Sequence, residues 1–303
     1  MTLAPIAFFA YKRPEHTLRA LEALSRCELA GESSLFIFCD GPKRPEDEDG
    51  VRKVREVAES RRWCGSVEVI KREENAGLAK SIFAGVSRLC EEYGRVIVLE
   101  DDLLVSPSFL RYMNDALDLY KDEERVMQVS GYMFDAPLRA ETDAIFLSFT
   151  TSWGWGTWHR AWLKFDPAMS GYDRLKNDRK LRRAFNLDGH FDYFSMLEKQ
   201  LAGILDSWAI QWYLSVFMCN GLVLHPVRTL VSNAGFDGSG THCGEFRQDM
   251  SGGFTSYSGF RFPDQIAESD LKSEIYRFVI GVDSVNPLKR IVNKIVRTIS
   301  KAH

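Results

Sequence analysis

Apolar positions along the first hundred residues follow two alternating rhythms. Ile6 to Ala10, Leu35 to Phe38, Val67 to Ile70 and Val96 to Leu99 are short runs, mostly continuous. Such runs suit strands buried on both faces of a parallel sheet. Between them, apolar residues recur every three or four positions: Leu18, Leu21 and Leu24, then Val51, Val54 and Ala58, then Leu78, Ile82 and Leu89. Each set marks one face of a helix. The punctuation agrees with this reading. Pro14 suits a first helical turn, Asp40-Gly41-Pro42 is a turn, and Asn75-Ala76-Gly77 opens the third helix. Ser106-Pro107 reads as the N-cap and first residue of a fourth helix. The succession β-α-β-α-β-α-β predicts an α/β fold with a mostly parallel sheet flanked by helices.

Composition narrows the class. The chain has 303 residues, is 45% hydrophobic and carries a formal net charge of −3. That balance leaves no electrostatic footprint for nucleic acid. The six cysteines, at 27, 39, 64, 90, 219 and 243, form no CxxC pair. They read as buried free thiols in a reducing compartment. Ile6 to Ala10 has no basic residues before it and Lys12-Arg13-Pro14 directly after it. A secretory signal has the opposite polarity, so a cytoplasmic location is expected.

Ligands of open parallel sheets bind beyond the carboxyl ends of the strands. The residues there are Lys12-Arg13, Asp40, Lys71-Arg72 with Asn75, and Glu100-Asp101-Asp102. Three adjacent carboxylates at the end of a buried strand repel one another and lose hydration, and both effects raise their pKa values. A divalent cation relieves that cost, and oxygen-only ligands suit Mn²⁺ or Mg²⁺. Alternation places Glu100 and Asp102 on one side and Asp101 on the other. A solvated turn is the other reading of the triplet.

The segment Val96-Ile97-Val98-Leu99-Glu100-Asp101-Asp102-Leu103, followed by Val105-Ser106-Pro107-Ser108-Phe109, resembles the Glu-Asp-Asp segment of the inverting GT-A glycosyltransferases typified by N-acetylglucosaminyltransferase I. The resemblance extends over roughly residues 1 to 250 and is densest at 96 to 110 and 205 to 245. It implies a GT-A (Rossmann-like) fold and metal-dependent transfer of a sugar from a UDP-linked donor to a glycan or lipid-linked hydroxyl. UDP-GlcNAc is the default donor it implies, with other nucleotide sugars open. It assigns Asp102 to the metal, Asp101 to the ribose, Glu100 to the donor sugar, Arg13 to the uridine site and Asp40 to the uracil. Leu205-Asp206-Ser207-Trp208 resembles the family's Trp-Asp-Asp-Trp segment and makes Asp206 the general base. Leu205 and Ser207 depart from that pattern. Arg72 and Lys80 would balance diphosphate charge, or lie on solvated faces. Asn75 lies in a turn that resembles one found widely in GT-A enzymes.

Two further motifs follow from the same comparison. Trp153-Gly154-Trp155-Gly156-Thr157-Trp158 and Trp162 form an aromatic patch. It is either a core cluster or a sugar platform, and Trp155, with Trp208, is assigned to face the sugar or acceptor. The Gly-rich stretch from Asn233 to His242 reads as a lid that brings Thr241 to the donor and His242 to the diphosphate or metal.

The chain divides on this reading into a nucleotide-sugar half, 1–150, an acceptor half, 151–285, of the same globule, and a basic amphipathic helix, 286–303. That helix carries Leu288, Ile291, Val292, Ile295 and Ile299 among lysines and arginines. It suits an anionic membrane surface or a protein partner, making the enzyme peripheral on the inner face. Two other activities fit poorly. No GxxxxGK[ST] marks a P-loop kinase, and Ala10-Tyr11-Lys12-Arg13-Pro14 lacks the Gly-rich loop of a sugar-1-phosphate nucleotidyltransferase. A sugar-nucleotide or glycan-binding protein without turnover remains the alternative.

Overall fold

The computed structural model describes residues 2–235 and 259–283. It opens with the predicted alternation: β1 (Ile6–Ala10), α1 (Pro14–Ser25), β2 (Ser34–Cys39), α2 (Glu48–Glu59), β3 (Ser66–Lys71), α3 (Leu78–Tyr93) and β4 (Arg95–Glu100). β1 lies parallel between β2 and β4, and β2 pairs parallel with β3. The chain continues through β5 (Leu103–Val105), α4 (Phe109–Leu119), β6 (Val126–Ser130), β7 (Ala144–Leu147) and β8 (Trp155–Trp158). Next come α5 (His159–Trp162), α6 (Tyr172–Asn177), α7 (Arg179–Phe185), α8 (Tyr193–Leu201) and α9 (Trp208–Met218). β9 (Leu222–Pro226), β10 (Val231–Asn233) and α10 (Lys272–Asp283) follow.

Eight strands form one sheet in the order β3-β2-β1-β4-β8-β6-β9-β7, and β5 and β10 form a separate ribbon. β8 runs antiparallel to β4 and β6, and β7 antiparallel to β9. The remaining strands share one direction, so the expected mostly parallel α/β architecture is the one observed. Strand alternation divides the core between the two faces. Ile6, Phe8, Leu35, Ile37, Ile97 and Leu99 pack with residues of α1, α2 and α4. Ala7, Phe9, Phe36, Phe38, Val96 and Val98 pack with residues of α3, α5 and α9. A third cluster, including Leu175, Phe185, Leu197, Ile210, Tyr213 and Ile275, joins α6 to α10 on the outer side of α9.

Several expectations need correction. β3 is half exposed because it is an edge strand with a single neighbour. Leu18 and Leu78 are exposed, and Ala20, Leu21, Leu24 and Ile82 carry the buried helical stripes. Ser106-Pro107 does not start a helix. Residues 103–105 pair with β10, Ser106 N donates to Leu230 O, and α4 begins at Phe109. The ladder claims the backbone groups that a capped turn would have used. β8, from beyond residue 150, lies between β4 and β6, so both halves of the chain contribute strands to the one sheet. Cys27, Cys39, Cys64 and Cys90 are buried free thiols, and burial pushes each up to about 12. Cys219 is free but exposed. Cys243 and residues 286–303 lie outside the described residues.

Candidate active site

Burial of β4 on both faces carries its last residue, Glu100, to the carboxyl edge of the sheet. Because Val98 faces α3 and α9, alternation puts Glu100 on that face and Asp101 on the face of α1. Arg13 lies just beyond neighbouring β1. Its carbonyl accepts from Thr17 N and from Thr17 Oγ1, each at 2.9 Å, which fixes its backbone at the start of α1. Its Nη2 donates to Asp101 Oδ1 and, at 2.9 Å, to Asp102 Oδ2. The Arg13 side chain is 22% exposed, and those of Asp101 and Asp102 are 7% and 15% exposed.

One guanidinium faces three carboxylates here, and the titration properties show the imbalance. Burial, then the charges of Asp102 and Asp101, push Glu100 up to about 8 against the opposing pull of Arg13. Burial also outweighs Arg13 at Asp101, whose pKa lies above the usual carboxylate range. Burial alone would lower the Arg13 pKa, but Asp101 and Asp102 raise it. The edge is short of positive charge.

The β5–β10 ribbon brings a distant segment to the same point. Asn233 pairs with Leu103, and Ala234 N donates to Asp102 O at 2.8 Å. Gly235 N then donates to Asn233 Oδ1 at 2.7 Å. A Cβ on Gly235 would lie 2.6 Å from Asp102 Oδ2 and 3.0 Å from Asn233 Oδ1. A side chain at 235 would collide with the carboxylate, so the close backbone approach there needs glycine. Asn233 Oδ1 and Asp102 Oδ2 are hard oxygens, so the donor set fits Mn²⁺ or Mg²⁺. Among the described residues, no three His, Cys, Asp or Glu side chains gather into a complete metal site. Thr241 and His242 lie outside the described residues. Sequence reading saw Asn233 only as the start of a loop, because its ladder pairing with Leu103 leaves no local signal.

The other wall of the edge is rigid. Asp40 Oδ1 accepts from Gly41 N and Ala76 N, and its Oδ2 from Gly77 N, at 2.9–3.0 Å. Asn75 Nδ2 donates to Gly41 O at 2.9 Å. A Cβ on Gly41 would lie 2.5 Å from the Glu74 carbonyl carbon, so the two loops are in direct backbone contact. Asp40 and Asn75 therefore lock the turn into α3. Arg72 N donates to Cys39 O, and Arg72 O accepts from the Arg55 guanidinium, which fixes the loop backbone. Lys80 is exposed on the first turn of α3. Tyr11, which sequence reading passed over, donates its hydroxyl to Asp47 at 2.8 Å and accepts from Lys43 N at 3.0 Å.

The aromatic assignments change. Trp155 is fully buried and stacks on Trp208, with centroids 5.1 Å apart and planes at 24°. Trp208 is also buried. Both are core residues with no open ring face for a sugar, because β8 is an interior strand and its Trp155 points into the α3–α9 layer. Trp153, two residues before β8, is partly exposed and lies 4.4 Å from the Tyr132 ring. The Trp155–Trp208 stack has a positional consequence. Trp155 pairs with Val98, so the stack seats the first turn of α9 beside the end of β4. Asp206, two residues before that turn, is exposed on the same side of the sheet as Glu100.

No family model matches the chain, and no curated protein matches it in sequence. Solved structures align weakly. A mannosyltransferase from Pyrobaculum calidifontis, in complex with GDP-Man and Mn²⁺, is 14% identical, with 43% of this chain and 36% of that chain covered and a TM-score of 0.31. GalNAc-T7 with UDP, GalNAc and Mn²⁺ is 11% identical over 76% of this chain and 44% of that chain, with a TM-score of 0.45. TarS from S. aureus is 11% identical over 75% and 59%, with a TM-score of 0.42. The chain thus spans less than half the length of the first two. Likenesses this partial carry no weight for function.

Proposed function

We propose that this chain is a GT-A-type glycosyltransferase that uses a nucleotide sugar and a divalent cation. One observation carries the reading: an acidic triplet at the carboxyl edge of the sheet meets a single counter-cation among the described residues, Arg13, and the Gly235 backbone packs directly against Asp102 Oδ2. Asp102 and Asn233 would hold the cation. When bound, it would stabilise the negative charge that develops on a leaving nucleoside diphosphate. Arg13 holds Asp101 and Asp102 in register for the ribose and the cation. Glu100, on the α3–α9 face, would accept a hydrogen bond from the donor sugar. Asp40 and Asn75 hold the wall against which the base would rest. Lys80 and Arg72 remain candidates for the diphosphate.

Asp206 is the candidate base. Its exposed carboxylate would take the proton of the acceptor hydroxyl as that oxygen attacks the anomeric carbon from the side opposite the leaving group. One displacement of this kind inverts the anomeric configuration. A glycan or lipid-linked hydroxyl is the acceptor class and UDP-GlcNAc the first donor to try. Calorimetric titration with a panel of nucleotide sugars, with and without Mn²⁺, tests the reading. Metal-dependent binding of one donor supports it. A folded protein that binds none refutes donor recognition by this edge alone.

A further inference from the structure

Away from the acidic edge, a strongly basic stretch of the described surface lies on α6 and α7. Residues 173–183 hold Arg174, Lys176, Arg179, Lys180, Arg182 and Arg183 against only Asp173 and Asp178, in a chain of net charge −3. Other cation-rich helices offset their charge with carboxylates. Arg52 and Lys53 pair with Asp49 and Glu56 on α2, and Arg88 pairs with Glu68 and Glu92. On α6 and α7 they meet rings and carbonyls instead. Lys176 Nζ lies 5.8 Å from the Tyr172 ring, and the Arg182 guanidinium lies 5.1 Å from the Phe194 ring. Arg183 Nε reaches Asp188 O at 3.3 Å. Asp178 is occupied as the N-cap of α7, accepting from Lys180 N and Leu181 N.

The same helical layer ends in exposed aliphatic residues. Phe194 of α8 stacks on Tyr172 at 5.5 Å, which joins α8 to α6. Phe185 stacks on Tyr213 at 4.5 Å, which seats α7 on α9. α8 then runs to Leu201 and Ile204, which are 44% and 77% exposed. Ile204 lies two residues before Asp206. Cations beside protruding aliphatic side chains match an anionic bilayer, which offers charged headgroups above an apolar phase. A nucleic acid has no apolar phase for Ile204.

We propose that the α6–α8 layer docks on an anionic lipid surface, with the α6–α7 cations over the headgroups and Leu201 and Ile204 entering the interface. This would place Asp206 at the membrane surface, where a lipid-linked acceptor hydroxyl is presented. The test needs no turnover, so it stands or falls apart from the catalytic reading.

The full chain is sedimented with phosphatidylcholine vesicles and with mixed phosphatidylcholine–phosphatidylglycerol vesicles. Binding is expected only to the anionic vesicles and is expected to weaken at high salt. Arg174→Gln, Arg179→Gln and Lys180→Gln together should weaken partitioning by about a hundredfold, at about fivefold per charge. Ile204→Ser should weaken it by about tenfold, without changing the salt dependence. All four positions are exposed, and unchanged melting temperatures confirm that the variants fold. Equal binding to neutral vesicles overturns the proposal, as does capture by soluble heparin without binding to any vesicle. Retention by the triple variant, with loss on Lys289→Gln, Arg290→Gln and Lys294→Gln, also overturns it and moves the contact to the C-terminal segment.

Discussion

Arg13 is the perturbation that tests the site most directly. Its guanidinium bonds Asp101 and Asp102, and among the described residues no second cation offsets the triplet's charge. Arg13→Met keeps the length and apolar stem of the side chain but strands two poorly hydrated carboxylates. Removing one partner of a buried pair costs about 3–5 kcal/mol. With Arg13 itself 22% exposed, solvent screens part of that, and about 3 kcal/mol is expected. For a chain of 303 residues the melting temperature should fall by about 5 °C. The assay is thermal and denaturant unfolding of the wild type, Arg13→Met, Asp101→Asn and the double variant. Neutralising Asp101 removes much of the stranded charge, so the double variant should be more stable than Arg13→Met alone. A loss below about 1 kcal/mol in Arg13→Met, or purely additive losses in the double variant, would refute the idea that the triplet depends on Arg13.

Gly235→Ala should lower metal-dependent nucleotide binding by at least about tenfold, because its Cβ meets Asp102 Oδ2 at 2.6 Å. Calorimetry with Mn²⁺ reads this directly, and unchanged affinity would remove Gly235 from the site. Asp206→Asn should abolish turnover while leaving donor affinity within about twofold, and persistent turnover would show that the base lies elsewhere. Glu100, raised to about 8 in the fold, favours its neutral form. Its stabilising share is therefore full below the ordinary carboxylate range and declines as pH rises toward 8. Glu100→Gln should accordingly gain about 2–4 kcal/mol over wild type above pH 8 and nothing near pH 4, and a gain that does not depend on pH would contradict this. Burial lowers His225 to about 4, so it resists protonation and its share of stability is lost as pH falls from 6.5 toward 4. Nitrogen NMR should find the ring neutral at pH 5.5, and an imidazolium there would be incompatible with that environment.

The parts legible in the sequence are those that local chemistry determines. Four strands and three helices of the first half follow from apolar rhythm, because buried strands and helix faces impose their own periods. Glu100 to Asp102 stand out because an acidic triplet after a β-branched run has few structural uses. The parts that were not legible depend on partners distant in the chain. Whether Trp155 faces a sugar or the core turns on β8 inserting between β4 and β6, which no local signal encodes. Asn233 becomes a site residue only through its pairing with Leu103. Ser106-Pro107 has the residues of a helix start, yet the ribbon claims its backbone.

That long-range pairing also explains how two halves of the chain come to share one edge. β8 runs against β4, so its first residues lie beside the last residues of β4. Trp155 at that point carries Trp208, and Trp208 fixes the first turn of α9. The acidic triplet and Asp206, far apart in sequence, are thus placed relative to each other through a tryptophan stack that itself touches no ligand. Close packing resists small shifts, because an aromatic stack inside a buried cluster cannot slide without opening voids. On the proposed function, this buried tryptophan pair would hold the donor and acceptor sides at a fixed spacing. This accounts for tryptophans clustered beside the triplet even though the core, not the substrate, is what most of them meet.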